Sequence, residues 1–175
     1  MRAVVVYESM YGNTHQIADA IGEGLRESLP TEVISVHDAN RALVEAADLV
    51  VVGGPTHTHG MSHDSTRAAA ADKAAEPDSG LHLDPDAAGD GVREWLESLG
   101  QMTGRAAAFD TRVDMSALVT GRASKGIAKQ LRHHGFEVVV DPESFLVTKD
   151  TRLEPDEQLH AKQWGRQLGA TAKSD

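Results

Sequence analysis

Two short segments of the chain leave no room for a solvent-facing side. Ala3-Val4-Val5-Val6-Tyr7 and Leu49-Val50-Val51-Val52 are apolar at every position. A strand with one face in water alternates polar and apolar residues. A strand apolar throughout is covered on both faces, which is the situation of a parallel sheet between two layers of helix. The rest of the chain supplies those helices in alternation with strands. A polar turn runs from Glu8 to Asn13, and Thr14 to Leu29 then carries Ile17, Ile21 and Leu25 on one face until Pro30 stops it. Glu32 to Val36 reads as a second strand, Ala39 to Ala47 as a short helix and Asp48 to Gly53 as the third strand. Val92 to Met102 is helical with Trp95, Leu96 and Leu99 inward, and Arg105 to Phe109 is the fourth strand. Gly121 to His134 is helical and capped by Gly135, Phe136 to Val140 is the fifth strand, and Ser144 to Val147 is a further extended piece. Pro155, Asp156 and Glu157 open a last helix in which Leu159, Trp164 and Leu168 face the sheet, fraying from Ala170 onward. The expectation is an α/β fold: a five-stranded parallel sheet with helices on both faces and right-handed crossovers. A length of 175 residues suits one domain.

One stretch departs from this economy. Between Met61 and Gly91 the chain has an alanine-rich helical segment, Thr66 to Ala75, followed by Pro77 to Asp90, which is rich in Pro, Gly and Asp. A connection of this length in a compact domain is uncommon and often functional. It reads as a loop insertion at about 61–91 that is mobile or folds over a ligand.

Composition narrows the chemistry. The chain has no cysteine, which removes disulfides, thiolate catalysis and zinc–thiolate sites. Any redox work then falls to a bound cofactor. The formal net charge is −10, which disfavours nucleic acid and favours a basic protein partner. No apolar stretch approaches the ~20 residues of a membrane span, and Arg2 is followed by no signal-peptide pattern, so the expected location is the cytoplasm.

In an open α/β sheet, ligands bind beyond the carboxyl ends of the strands where the strand order reverses. Three segments leave strand ends with unusual residues: Ser9 to Thr14, Pro55 to Gly60, and Asp110 to Arg112. The first joins a strand to a helix N-terminus, which offers free backbone N–H groups and a partial positive charge, both suited to phosphate. Ser9 and Thr14 add hydroxyls, and Gly12 lets the backbone approach closely. Residue types alone weigh a phosphate loop and a well-capped turn about equally. The lysine of a Walker-type loop is missing, which disfavours a nucleoside triphosphatase.

The pattern Ser9-x-Tyr11-Gly12-Asn13-Thr14 after the first strand resembles the phosphate loop of flavodoxins. Gly54-Pro55-Thr56-His57-x-x-Gly60 resembles the second flavin loop of the flavodoxin-like superfamily, and the element order agrees over nearly the whole chain. The resemblance implies a flavodoxin-like three-layer sandwich that binds FMN and works as an electron carrier or as a reductase of a small, quinone-type acceptor. By the same resemblance, Ser9, Met10, Tyr11, Gly12, Asn13 and Thr14 would form the phosphate site. Pro55, Thr56, His57, Thr58, His59 and Gly60 would line the flavin ring, with Asp110, Thr111 and Arg112 on its other side or near the ribityl chain. Flavodoxins usually sandwich the ring between aromatic side chains. Here the second loop carries His57 and His59, the third segment has neither Tyr nor Trp, and only 4% of the chain is aromatic. The alternative is a binding domain that kept the fold and lost the flavin.

Two further clusters are weaker. His57, His59 and His63 share one loop and have the residue type of a zinc site, though no acidic supporting group can be assigned to them. Asp78, Asp84, Asp86 and Asp90 lack the spacing of a calcium loop and read as a solvated segment.

Overall fold

The computed structural model describes residues 1–57 and 59–173. One six-stranded sheet organises it, made of β1 (Ala3–Tyr7), β2 (Thr31–Ser35), β3 (Leu49–Pro55), β4 (Arg105–Val113), β5 (Glu137–Val138) and β6 (Glu143–Val147). The strand order is β2-β1-β3-β4-β5, every pairing is parallel, and β6 also pairs with β4. The helices are α1 (Asn13–Arg26), α2 (Arg41–Glu45), α3 (Asp64–Ala75), α4 (Val92–Leu99), α5 (Ala117–Thr120), α6 (Ala123–His133) and α7 (Glu157–Lys173).

The two faces of the sheet explain the uniformly apolar strands. Val4, Val6, Val50, Val52, Ala106 and Ala108 pack in one core with α4 and α6 residues such as Trp95, Leu96 and Ile127. The alternate residues Ala3, Val5, Tyr7, Val51, Ala107 and Phe109 pack in the other with Ile17, Ile21, Leu25, Trp164 and Leu168 of α1 and α7. Side chains alternate across a strand, so each face needs its own apolar set. Helices α1 and α7 meet through glycines. A Cβ on Gly24 would collide with the Lys162 carbonyl, and one on Gly165 with the Ile21 carbonyl.

Several boundaries differ from the sequence reading. The fifth strand keeps only Glu137–Val138 of the expected Phe136 to Val140, and β6 resumes the pairing beyond Pro142, which has no N–H to give a ladder. With β3 on one side and β6 on the other, β4 runs four residues past Phe109 to Val113, so Asp110, Thr111 and Arg112 lie inside the strand. Leu159 is 52% exposed instead of facing the sheet, while Ala161, Trp164 and Leu168 turn inward. Helix α7 is regular from Ala170 to Lys173, and the remainder of the tail read as frayed lies outside the described residues.

The 61–91 segment is fastened to the first loop. Residues 76–91 form neither helix nor strand, yet the Asp84 N–H donates to the Met10 carbonyl at 2.8 Å and Asp84 is buried. His15 Nδ1 lies 3.1 Å from Asp84 Oδ2, its Nε2 lies 3.0 Å from the Tyr7 hydroxyl, and that hydroxyl donates to Asp86 at 2.9 Å. The Tyr7 and His15 rings stack at 4.3 Å.

Candidate cofactor-binding site

The first loop is built to leave amides free. Gly12 is the N-cap of α1 with φ 88°, a backbone conformation that favours glycine, and it brings no side chain to cap the helix. The N–H groups of the first helical turn have no acceptor within the helix and no capping oxygen, so they present positive potential beyond the helix end. Ser9 does not face outward: it is buried, and its Oγ accepts the Gly12 N–H at 3.1 Å, which fixes the turn. Asn13 Nδ2 donates to the Thr151 carbonyl at 2.9 Å. Thr14 Oγ1 lies 2.7 Å from Thr111 Oγ1, a buried hydroxyl pair that joins α1 to β4. The Tyr11 hydroxyl donates to the Ala70 carbonyl of α3 at 2.8 Å, and burial pushes its pKa up.

A cleft of about 360 Å³ opens between this loop and the neighbouring strand ends. Met10, Tyr11, Asn13 and Thr14 form one wall, Pro55, Thr56 and His57 a second, and Thr111, Arg112 and Val113 a third. Residues from all three segments singled out in the sequence therefore converge. The fourth wall was not foreseen: Thr66, Ala69, Ala70 and Lys73 of α3, with Val147 and Thr151 closing an end. The spacing 66, 69, 70, 73 is one stripe of a helix, a signal present in the sequence but hidden by the run of alanines, which gives no contrast between faces.

Not every expected residue reaches the cleft. Asp110 is fully buried and its Oδ2 accepts the Ser124 N–H at 2.7 Å, so it caps α6. Thr56 does both: it lines the cleft while its Oγ1 accepts the Ala123 N–H at 3.0 Å. His57 pairs with Gly60 through two backbone hydrogen bonds of 2.8 and 2.9 Å. Burial lowers the His57 pKa, and its Nε2 is buried without a partner among the described residues. Exposed His59, at φ 74°, bridges to Gly121 and is not among the residues that line the cleft. Thr58 lies outside the described residues. Arg112 Nη1 donates to the Met115 carbonyl at 2.7 Å, while its Nε is buried and unpaired. Two polar atoms on cleft residues, His57 Nε2 and Arg112 Nε, are thus left without partners among the described residues. Among the described residues the metal-compatible grouping is His15, Asp84 and Asp86, not the histidines of the second loop; His63 serves as the N-cap of α3.

The donor set suits an anionic group tied to a polar heteroaromatic one: free helix amides and hydroxyls at one end, unpaired ring and guanidinium nitrogens at the other. An open parallel sheet of order 2-1-3-4-5 with such a cleft at its β1/β3 crossover defines a flavodoxin-like cofactor-binding protein. The comparisons agree. The flavodoxin family model matches residues 5–111, more than half of the sequence, and the chain belongs to the flavodoxin family.

The cofactor of that family is FMN, and the chain is an FMN-type redox protein. Among solved structures it is similar to a flavodoxin from the domain Archaea, with 24% identity over 99% of each chain and a TM-score of 0.68. It is similar also to oxidised flavodoxin 1 of Bacillus cereus, with 22% identity, 98% and 97% coverage and a TM-score of 0.63. A flavodiiron protein from Giardia intestinalis matches 98% of this chain with 36% of its own, at 23% identity and a TM-score of 0.62. These likenesses are of fold. No curated protein matches the sequence. Among the described residues, no helix is long and apolar enough to cross a membrane.

Proposed function

We propose that the chain is an electron carrier that holds FMN in the cleft and exchanges electrons with a protein partner, the whole length acting as one domain with 61–91 as an insertion. FMN supplies the reversible electron chemistry. The first-turn amides of α1, with Asn13 and Thr14, hold the phosphate, while Ser9 and Gly12 shape the loop that presents them. Pro55, Thr56 and His57 flank one side of the ring, and Thr111, Arg112 and Val113 the other. His57 Nε2 and Arg112 Nε, without partners among the described residues, meet polar atoms of the cofactor.

The observation that carries the carrier reading is the size of the cleft. About 360 Å³ is near the low end for a ligand site, and α3 already forms its fourth wall. Within this cleft that space is on the scale of a single cofactor, which supports a carrier over an enzyme that stacks a second ring on the flavin. A net charge of −10 steers a basic partner to the surface. The location consistent with a cysteine-free redox protein is the cytoplasm. The test is turnover of benzoquinone by NADPH or NADH with the FMN-loaded chain. The expected result is no turnover by the chain alone and turnover when a separate flavoprotein reductase is supplied. Sustained turnover by the chain alone overturns the carrier reading in favour of a quinone-type reductase.

A further inference from the structure

We propose that Lys73 is the phosphate cation of this site, carried to the first loop by α3, and that it sets the preference for phosphorylated over unphosphorylated flavin. The inference rests on the reading that the cleft holds FMN. The loop from Ser9 to Thr14 contains neither Lys nor Arg, so its own donors to a phosphate are neutral amides and hydroxyls. A phosphate monoester carries about −1.5 to −2 at neutral pH, and a single positioned cation adds a charge-assisted contact stronger than those donors give.

Lys73 is placed to do this by the helix that bears it. Thr66, Ala69, Ala70 and Lys73 form the cleft-facing stripe of α3, and Lys73 is its charged member. The small residues before it let the helix lie close on the cleft. The Tyr11 hydroxyl bonds the Ala70 carbonyl, three residues from Lys73 on the same face, and so ties that turn to the first loop. The direction of α3 agrees. Its N-cap, His63, follows the second loop, while beyond its C-terminus Ser79 to His82 run beside Tyr11 and Asn13. Its last turn, with Lys73, therefore lies toward the phosphate end.

Of the other cations nearby, Arg152 lines the adjoining cleft and not this one, and two are committed elsewhere. Arg67 is buried against Ser62, Asp64 and Glu94. Arg112 is held by the Met115 carbonyl at the far strand end. The Lys73 side chain forms no hydrogen bond or ion pair with the described residues. Its place in the last helical turn suits the helix dipole, but the dipole does not select the face it occupies.

The experiment is titration of the apoprotein with FMN and with riboflavin, by flavin fluorescence quenching, at low and high salt, for the wild type, Lys73→Gln and Lys73→Arg. The expected result is an FMN affinity about tenfold weaker in Lys73→Gln, with riboflavin affinity unchanged, a loss that shrinks as salt rises, and recovery in Lys73→Arg. Lys73 is exposed, so equal melting temperatures are expected. Unchanged FMN affinity in Lys73→Gln, or equal losses for both flavins, overturns the assignment while leaving the cleft as the FMN site. Equal affinity of the wild type for FMN and riboflavin overturns the site reading and this inference with it.

Discussion

The Tyr11 hydroxyl donates to the Ala70 carbonyl at 2.8 Å, so a side chain of the first loop holds the helix that faces it across the cleft. Tyr11→Phe keeps the ring and removes only that bond. The expected cost is about 1 kcal/mol of stability. It should be accompanied by faster hydrogen exchange in the Asp64–Ala75 amides, because the helix loses its tie to the loop. Exchange measured by mass spectrometry on both proteins checks this; protection unchanged in α3 would show that Arg67 and its partners hold the helix without Tyr11.

The buried hydroxyl pair of Thr14 and Thr111 makes a sharper prediction. Thr14→Val leaves the Thr111 hydroxyl without its partner, a penalty of about 1–3 kcal/mol, and the reverse holds for Thr111→Val. Replacing both removes two polar groups together. The double variant should therefore be less destabilised than the sum of the singles, a coupling that denaturant unfolding of the four proteins measures. Additive losses would mean that the two hydroxyls do not depend on each other.

Titration of His57 gives a pH dependence with a definite direction. Burial, with the Arg67 charge adding to it and Glu8 opposing, holds its folded pKa below the ordinary value. The unfolded chain therefore binds a proton first as pH falls below about 6.5. The stability due to neutral His57 is complete above that pH, is lost as pH falls toward the folded pKa, and does not fall further below it. His57→Gln removes the titrating group, so its melting temperature should depend less steeply on pH between about 6.5 and 5 than that of the wild type. Parallel profiles would place the titration elsewhere.

Close approach of α1 and α7 is the packing feature most easily broken. Gly165→Ala adds a methyl group against the Ile21 carbonyl, a backbone atom that cannot turn aside. The expected loss is about 2 kcal/mol, whereas Gln163→Ala on the exposed side of the same helix should change little. Thermal melts of the two variants compare them directly; equal stability would contradict the tight crossing.

The fold was legible because β1 and β3 are apolar at every position, and only burial on both faces explains that. Boundaries were less so. The extension of β4 to Val113 depends on pairing with β6, a partner 30 or more residues distant, and no local pattern around Asp110 announces it. The site was legible where a motif sits at a strand end, as at Ser9 to Thr14. It was hidden in α3, where alanines blur the two faces, and in the tie of His15 to Asp84, which joins residues far apart in sequence. Asp110 misled for a physical reason: a carboxylate at a strand end serves equally well as a ligand contact or as a cap, and here α6 begins within its reach.

Binding of FMN through its phosphate on the uncapped first turn of α1, in the cleft beneath α3, is open to direct measurement. Amide NMR of the labelled protein during titration with FMN, and separately with riboflavin, tests it most directly. The expected result is that FMN shifts the Asn13, Thr14 and His15 amides together with those of Thr56, His57, Thr111 and Arg112, and that riboflavin leaves the first group nearly unmoved. Shifts confined to the neighbouring cleft between Asp150 and Leu159, or equal shifts of the α1 amides with both flavins, would contradict it.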